Sequence, residues 1–157
     1  MTIATLAAYL IRVFEGFRSQ AYWDANGKRW TIGFGHTYNV KQGDICTIEE
    51  AIVWMEQDFT LLIYAVKDRP LIEAAALVSF GYNCGIGALK RVLDGEISIL
   101  HEEFMVEPED IPYGESSGGV TLAGLQARRH LEAALIEASR QTVQAVQNAT
   151  EARMTKA

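Results

Sequence analysis

The chain is short of the residues that staple, anchor or steer a protein. Only two of its 157 residues are cysteine, and Cys46 and Cys84 lie far apart. A small secreted disulfide scaffold carries more than that, so two buried free thiols are expected. Three scattered histidines and no Cys-x-x-Cys pair provide no zinc-type ligand set, and neither a metal nor a cofactor is implied. No apolar run approaches the ~20 residues of a membrane span, which argues against stable membrane insertion. The N-terminal stretch MTIATLAAYLIRVFEGF is apolar but interrupted by Arg12 and Glu15. It has no basic leader and no small-residue cleavage site, and makes a poor signal peptide. Basic residues are the minority, 14 against 20 acidic, for a net charge of -6. Without a basic face to displace counterions, nucleic acid is not an expected partner.

What is present is enough apolar residue, 49%, for a core of one domain. Ile3, Leu6, Leu10 and Phe14 share one helical face, flanked by Ala7 and Ile11, and Gly16 is placed to end that helix. From Ala21 to Phe34 the pattern changes to two short strands about Asn26-Gly27, a strong tight-turn signal. Thr47 and Glu50 form a capping box for a helix running through Trp54 and Asp58 to about Val66. Pro70 suits the first turn of another, continuing to about Tyr82, where Gly85 and Gly87 break it. Short helices are expected near 89–93 and 97–104, a loop over 106–120 as a candidate cleft rim, and a last helix from about Thr121 past Arg140. The polar stretch beyond about Gln141 is expected to fray. The sum is an α+β pattern, mostly helical, with one small hairpin.

Two carboxyl groups stand where chemistry is conceivable. Cleaving a glycosidic bond needs a proton on the leaving oxygen and negative charge near an oxocarbenium-like carbon. Burial against apolar groups keeps a carboxyl protonated for the first task. Glu15, at the foot of an apolar helix beside Phe14 and Phe17, suits the acid, and Asp24, on a hairpin strand, the ionised partner. An acidic chain offers many such pairs, most of them solvated surface charges.

The surrounding pattern narrows this. EGFRSQAYWDANGKRWTIGFGHT resembles the signature of the phage-type lysozymes, glycoside hydrolase family 24: Glu-Gly, aromatic-x-Asp, a Gly turn, then Thr-Ile-Gly-aromatic-Gly-His. The resemblance implies that Glu15 is the general acid and that Asp24 and Thr31 hold the attacking water. The Asp-to-Thr interval is one residue longer than the family's, filled here by Lys28-Arg29-Trp30. A one-residue slip reverses the facing of a strand unless a turn or bulge absorbs it, and the turn is expected to do so. TIEEAIVWMEQD resembles the family's next helix, which implies a structural ion pair of Asp58 with His36; a general base at His36 is the alternative. ALVSFGYNCGIGAL resembles its interior helix, where Tyr82 and Asn83 either line the sugar groove or serve the core and helix end. SSGGVTLAGLQARRHLEAAL resembles the C-terminal element from which an arginine approaches the catalytic Glu. Arg128 is the first candidate and Arg129 the second; the alternative is a solvated face with both paired to Glu132.

The matching blocks run in order over about residues 10 to 137. They imply a single lysozyme-like domain: an N-terminal lobe with the hairpin to about residue 60, a helical lobe to about 140, and a polar tail over 141–157. The implied reaction is hydrolysis of the β-1,4 bond between N-acetylmuramic acid and N-acetylglucosamine in peptidoglycan strands, with inversion, by a monomer. Against an anionic wall the net charge of -6 supplies no long-range attraction, so groove contacts must. Without a signal peptide, release from the host cytoplasm would depend on a holin. A lytic transglycosylase and a non-catalytic wall-binding or scaffold module are the alternatives.

Overall fold

The computed structural model describes residues 1–25, 27–104 and 122–154. The elements run α1 (Ile3–Glu15), β1 (Arg18–Asp24), β2 (Arg29–Gly33), α2 (Ile48–Asp58), α3 (Thr60–Val66), α4 (Leu71–Leu93), a 3-10 turn (Glu102–Phe104) and α5 (Leu122–Met154). The expected loop over 106–120 and Asn26 of the hairpin turn lie outside the described residues.

α4 is the hub, packed against α1, α3 and α5. Every residue from Glu73 to Gly81 is buried. By length and composition this helix could cross a bilayer, contrary to the sequence expectation, but half of its most apolar window is buried inside the fold. It begins at Pro70, which serves as N-cap rather than first-turn residue, and it kinks at Gly85 (φ 88°, ψ 161°). Gly87 stays helical, so one glycine does the breaking.

Thr2 caps α1 by accepting from the Thr5 N–H at 3.1 Å, and Gly16, at φ 67°, ends it. Its buried face is centred on Ala7 and Ile11, while Ile3, Leu6, Leu10 and Phe14 are half-buried. The expected face is therefore rotated: the small Ala7 lets the helix approach its neighbour closely, and the larger residues wrap the sides.

β1 and β2 pair antiparallel in the register Tyr22↔Thr31, Trp23↔Trp30, Asp24↔Arg29, with an irregularity between Arg18 and Tyr22. β1 begins at Arg18, earlier than expected, because the segment around Ile45 pairs with it: Cys46 N donates to Ser19 O at 2.8 Å and Ala21 N to Asp44 O at 2.9 Å. Asp24↔Arg29 is the last pair toward the turn, and Lys28, just before Arg29, takes a positive φ of 48°. Gly33 (φ 67°) brings β2 against α2, where a Cβ would stand 2.8 Å from the Ala51 Cβ.

The Thr47–Glu50 capping box is present on α2, the Glu50 carboxylate accepting from Thr47 N at 2.8 Å. The helix does not continue unbroken to Val66. Phe59 leaves helical geometry (φ -93°, ψ 4°) and Thr60 Oγ1 donates back to Glu56 O at 3.0 Å, a local bond that competes with the helix ladder. Over 97–104 only the 3-10 turn forms, since Ser98 Oγ and His101 Nδ1 take the Leu100 and Glu103 N–H groups. α5 is longer than expected. Beyond Gln141 it is held by helix-favouring Ala, Gln and Glu residues and by pairs such as Gln144–Asn148 at 2.9 Å. Both thiols are free; Cys46 is buried, whereas Cys84 is only half-buried because it sits where α4 turns toward its kink.

Candidate active site

Glu15 is the last residue of α1, and its side chain is 16% exposed. Its setting is ionic as well as apolar. Arg128 Nη1 donates to its Oε1 at 2.6 Å. The Arg128 guanidinium lies over the Phe14 ring, 5.1 Å from its centroid. On the other side runs the exit of β2, where Gly35 has φ 100° and a Cβ would come to 3.8 Å from Glu15 Oε2 and 3.6 Å from Tyr82 Cε1. Glycine here gives the conformation, while those distances are ordinary contacts that a Cβ would meet without a clash.

The hairpin carries the other candidate side chains. Directly opposed residues of an antiparallel pair share a face, and alternation puts every second residue there. Tyr22, Thr31, Asp24 and Arg29 therefore lie on one side. Trp23 and Trp30 meet edge-on at 5.7 Å on the other. Burial pushes the Tyr22 phenol above its ordinary pKa, and the negative charges of Asp24 and Glu15 push it further, Arg18 opposing. One hydroxyl thus feels both carboxylates. Thr31 is buried, and its Oγ1 has no hydrogen-bond partner among the described residues.

Tyr82 reaches from α4 to the β2 exit, donating to Phe34 O at 2.9 Å. Burial, followed by the charges of Asp58 and Glu15, raises its pKa strongly. It lines a cavity of about 280 Å³ together with Gly35, Thr37, Asp58, Gly85 and Ile86. Asn83 is exposed, and its Oδ1 accepts from Arg129 Nη2 at 2.5 Å. His36 Nδ1 and Asp58 Oδ2 are 2.8 Å apart; the other ring nitrogen is 3.1 Å from Tyr38 O, and the ring stacks on Trp54 at 5.1 Å. His36 is also tied to Ile32 by reciprocal backbone bonds of 2.9 Å. These contacts fasten the β2 exit to the end of α2. Among the described residues no three His, Cys, Asp or Glu side chains gather to hold a cation.

A family model described as phage lysozyme matches residues 12–132. The chain belongs to the phage lysozyme family. It is 33% identical over 150 residues to an endolysin of Acyrthosiphon pisum secondary endosymbiont phage 1, covering 88% of this chain and 100% of that protein. An endolysin of Bacillus phage PZA is 30% identical over 148 residues, covering 86% of this chain but 55% of its own. Among solved structures, the muramidase domain of SpmX from Asticaccaulis excentricus superposes with a TM-score of 0.62 at 31% identity, covering 83% of this chain and 93% of that one. The endolysin from Escherichia coli O157:H7 phage FAHEc1 superposes at 0.61 with 29% identity, covering 87% and 93%. The fold is lysozyme-like, a mostly helical α+β architecture with a two-stranded sheet.

Within this phage lysozyme chain the residues that sequence reasoning undervalued are Ser79, Arg129 and Glu132. Arg128 and Glu132 do pair at i,i+4, and Arg129 and Glu132 at i,i+3, but on a buried face rather than a solvated one. Ser79 Oγ donates to Glu132 Oε1 at 2.6 Å, and Arg128 Nη2 donates to Ser79 O at 2.8 Å. Burial works to lower the Arg128 pKa, yet the charges of Glu15 and Glu132 outweigh it and hold the guanidinium above its ordinary value.

Proposed function

We propose that this chain is an endolysin that hydrolyses the β-1,4 bond between N-acetylmuramic acid and N-acetylglucosamine, with Glu15 as general acid and Asp24 and Thr31 holding the attacking water. Membership of the phage lysozyme family, with endolysins among its relatives, supports peptidoglycan as the substrate. The observation that supports the residue assignment is geometric: Arg128 Nη1 holds Glu15 at 2.6 Å at the end of α1, and the hairpin register sets Asp24 and Thr31 on one face with Tyr22. Glu15 donates a proton to the leaving glycosidic oxygen. Asp24 accepts a proton from the water, which the Thr31 hydroxyl orients, and the water attacks from the opposite side of the sugar with inversion. Arg128 orients the Glu15 carboxyl, Tyr82 and Asn83 bound the sugar groove, and the His36–Asp58 pair is structural.

The same reading takes the chain as one monomeric domain, its N-terminal lobe to about residue 60, its helical lobe to about 140 and its polar tail over 141–157. The protein is made in the host cytoplasm and reaches the wall through a holin. The test is Glu15→Gln. The variant should keep the wild-type circular dichroism spectrum and bind sacculi, while turnover falls about 10²–10⁴-fold, the usual worth of a positioned acid. Near wild-type clearing in a zymogram removes Glu15 from the role. Mass spectrometry of the products should show reducing ends; anhydro-muramic ends would turn the reading to a transglycosylase.

A further inference from the structure

We propose that Glu132 is the positioning residue of this site, one buried carboxylate that sets both the arginine behind Glu15 and the arginine behind Asn83. The inference rests on the reading of Glu15 as the acid and Asn83 as a sugar contact. Glu132 has no exposed side-chain surface. Its Oε1 accepts from Ser79 Oγ at 2.6 Å and from Arg128 Nε at 3.1 Å, and its Oε2 accepts from Arg129 Nη1. The planar Arg128 fork is thereby held at two corners, Nε on Glu132 and Nη2 on Ser79 O at 2.8 Å. A rigid guanidinium fixed at two corners has its third placed for it, and that third corner, Nη1, meets Glu15. Arg129 is fixed by the same carboxylate and rests over the Phe80 ring at 5.0 Å, leaving its Nη2 for Asn83.

The charge balance gives the second consequence. Two guanidiniums, Arg128 and Arg129, face two carboxylates, Glu15 and Glu132. Neutralising Glu132 leaves an excess positive charge beside Glu15, which favours its ionised form. The other groups coupled to this cluster are Tyr22 on β1, with Asp24 beside it, and Tyr82 and Cys84 on α4; burial raises both tyrosines and the thiol, and of these three only Cys84 also feels Glu132. A general acid that ionises more readily loses activity at lower pH. The alkaline limb of the activity profile should therefore move down, and the loosened Asn83 should weaken substrate binding.

The experiment is steady-state turnover on purified soluble glycan fragments from pH 4 to 9, with folding followed by circular dichroism. Glu132→Gln is expected to lower kcat about 10-fold or more, as a misplaced catalytic group does. It should also raise KM severalfold and move the alkaline limb to lower pH. Glu132→Asp, which keeps the charge, should restore the limb while kcat stays reduced. Asn83→Ala should raise KM and leave the limb in place, and adding it to Glu132→Gln should raise KM little further. If Glu132→Gln does not reach the native spectrum, Ser79→Ala takes its place: it keeps every charge, and kcat should fall severalfold with KM steady. Folded Glu132→Gln with kcat, KM and limb within twofold of wild type overturns the proposal, and so does an unchanged kcat in Ser79→Ala where that variant is the one that folds. A wild-type chain that releases no sugar overturns the functional reading itself, and this inference with it.

Discussion

At Thr31 a hydroxyl is enclosed by protein with no partner among the described residues, directly across the hairpin from Tyr22. Stability and activity should part company there. Thr31→Val keeps the shape and removes the unpaired group, so the melting temperature should hold or rise, an unmatched buried polar group costing about 1–3 kcal/mol. Turnover should fall about 10²-fold as the water loses its orientation. A parallel loss of stability and activity would make the hydroxyl structural. Tyr22 reports the electrostatics next to it. Asp24→Asn removes one of the negative charges that raise this phenol, so its titration, resolved against Tyr22→Phe by ultraviolet difference spectra, should move down toward the ordinary value. No movement would mean that Asp24 faces elsewhere. The contact of Arg128 with Glu15 was legible because residue type and order in the matching blocks carry it. Glu132 was not, since an i,i+4 Arg–Glu pair reads the same whether its face is solvated or buried; only the packing of α5 on α4, which Ser79 marks, decides it.

Among the elements, legibility follows the range of the forces involved. The Thr47–Glu50 cap and the Gly16 stop are made within one turn, and both stand as the residues imply. The break at Phe59 and the early start of β1 depend on a back-bonding Thr60 and on a segment more than twenty residues downstream, which no local pattern contains. The apposition of β2 and α2 is likewise tertiary, and it supplies a sharp test. Gly33→Ala must place a methyl 2.8 Å from the Ala51 Cβ at φ 67°. The expected loss is about 1–3 kcal/mol, as overpacking brings, read as a lower urea midpoint with unchanged slope. Ala51→Gly in the same chain should return part of it by opening room, and failure to do so would place the strain in the backbone alone.

At the scale of the whole molecule, the last buried residue among the described ones is Ser139, and every described side chain from Arg140 onward is exposed. Deleting residues 142–157 should therefore leave the thermal midpoint within a few degrees and lysis of sacculi near wild type, since a change below about 0.5 kcal/mol is usual away from buried features. Arg140 is kept because its guanidinium pairs with buried Glu73 at 3.1 Å. A large drop in midpoint would show that the exposed turns of α5 support the core.

The Tyr82 hydroxyl pins the outgoing end of the hairpin to the central helix. While that pin holds, any breathing of the hairpin has to swing about it. Amide exchange along the paired strands should therefore be slowest next to Phe34 and faster toward Lys28, and Tyr82→Phe should erase that gradient.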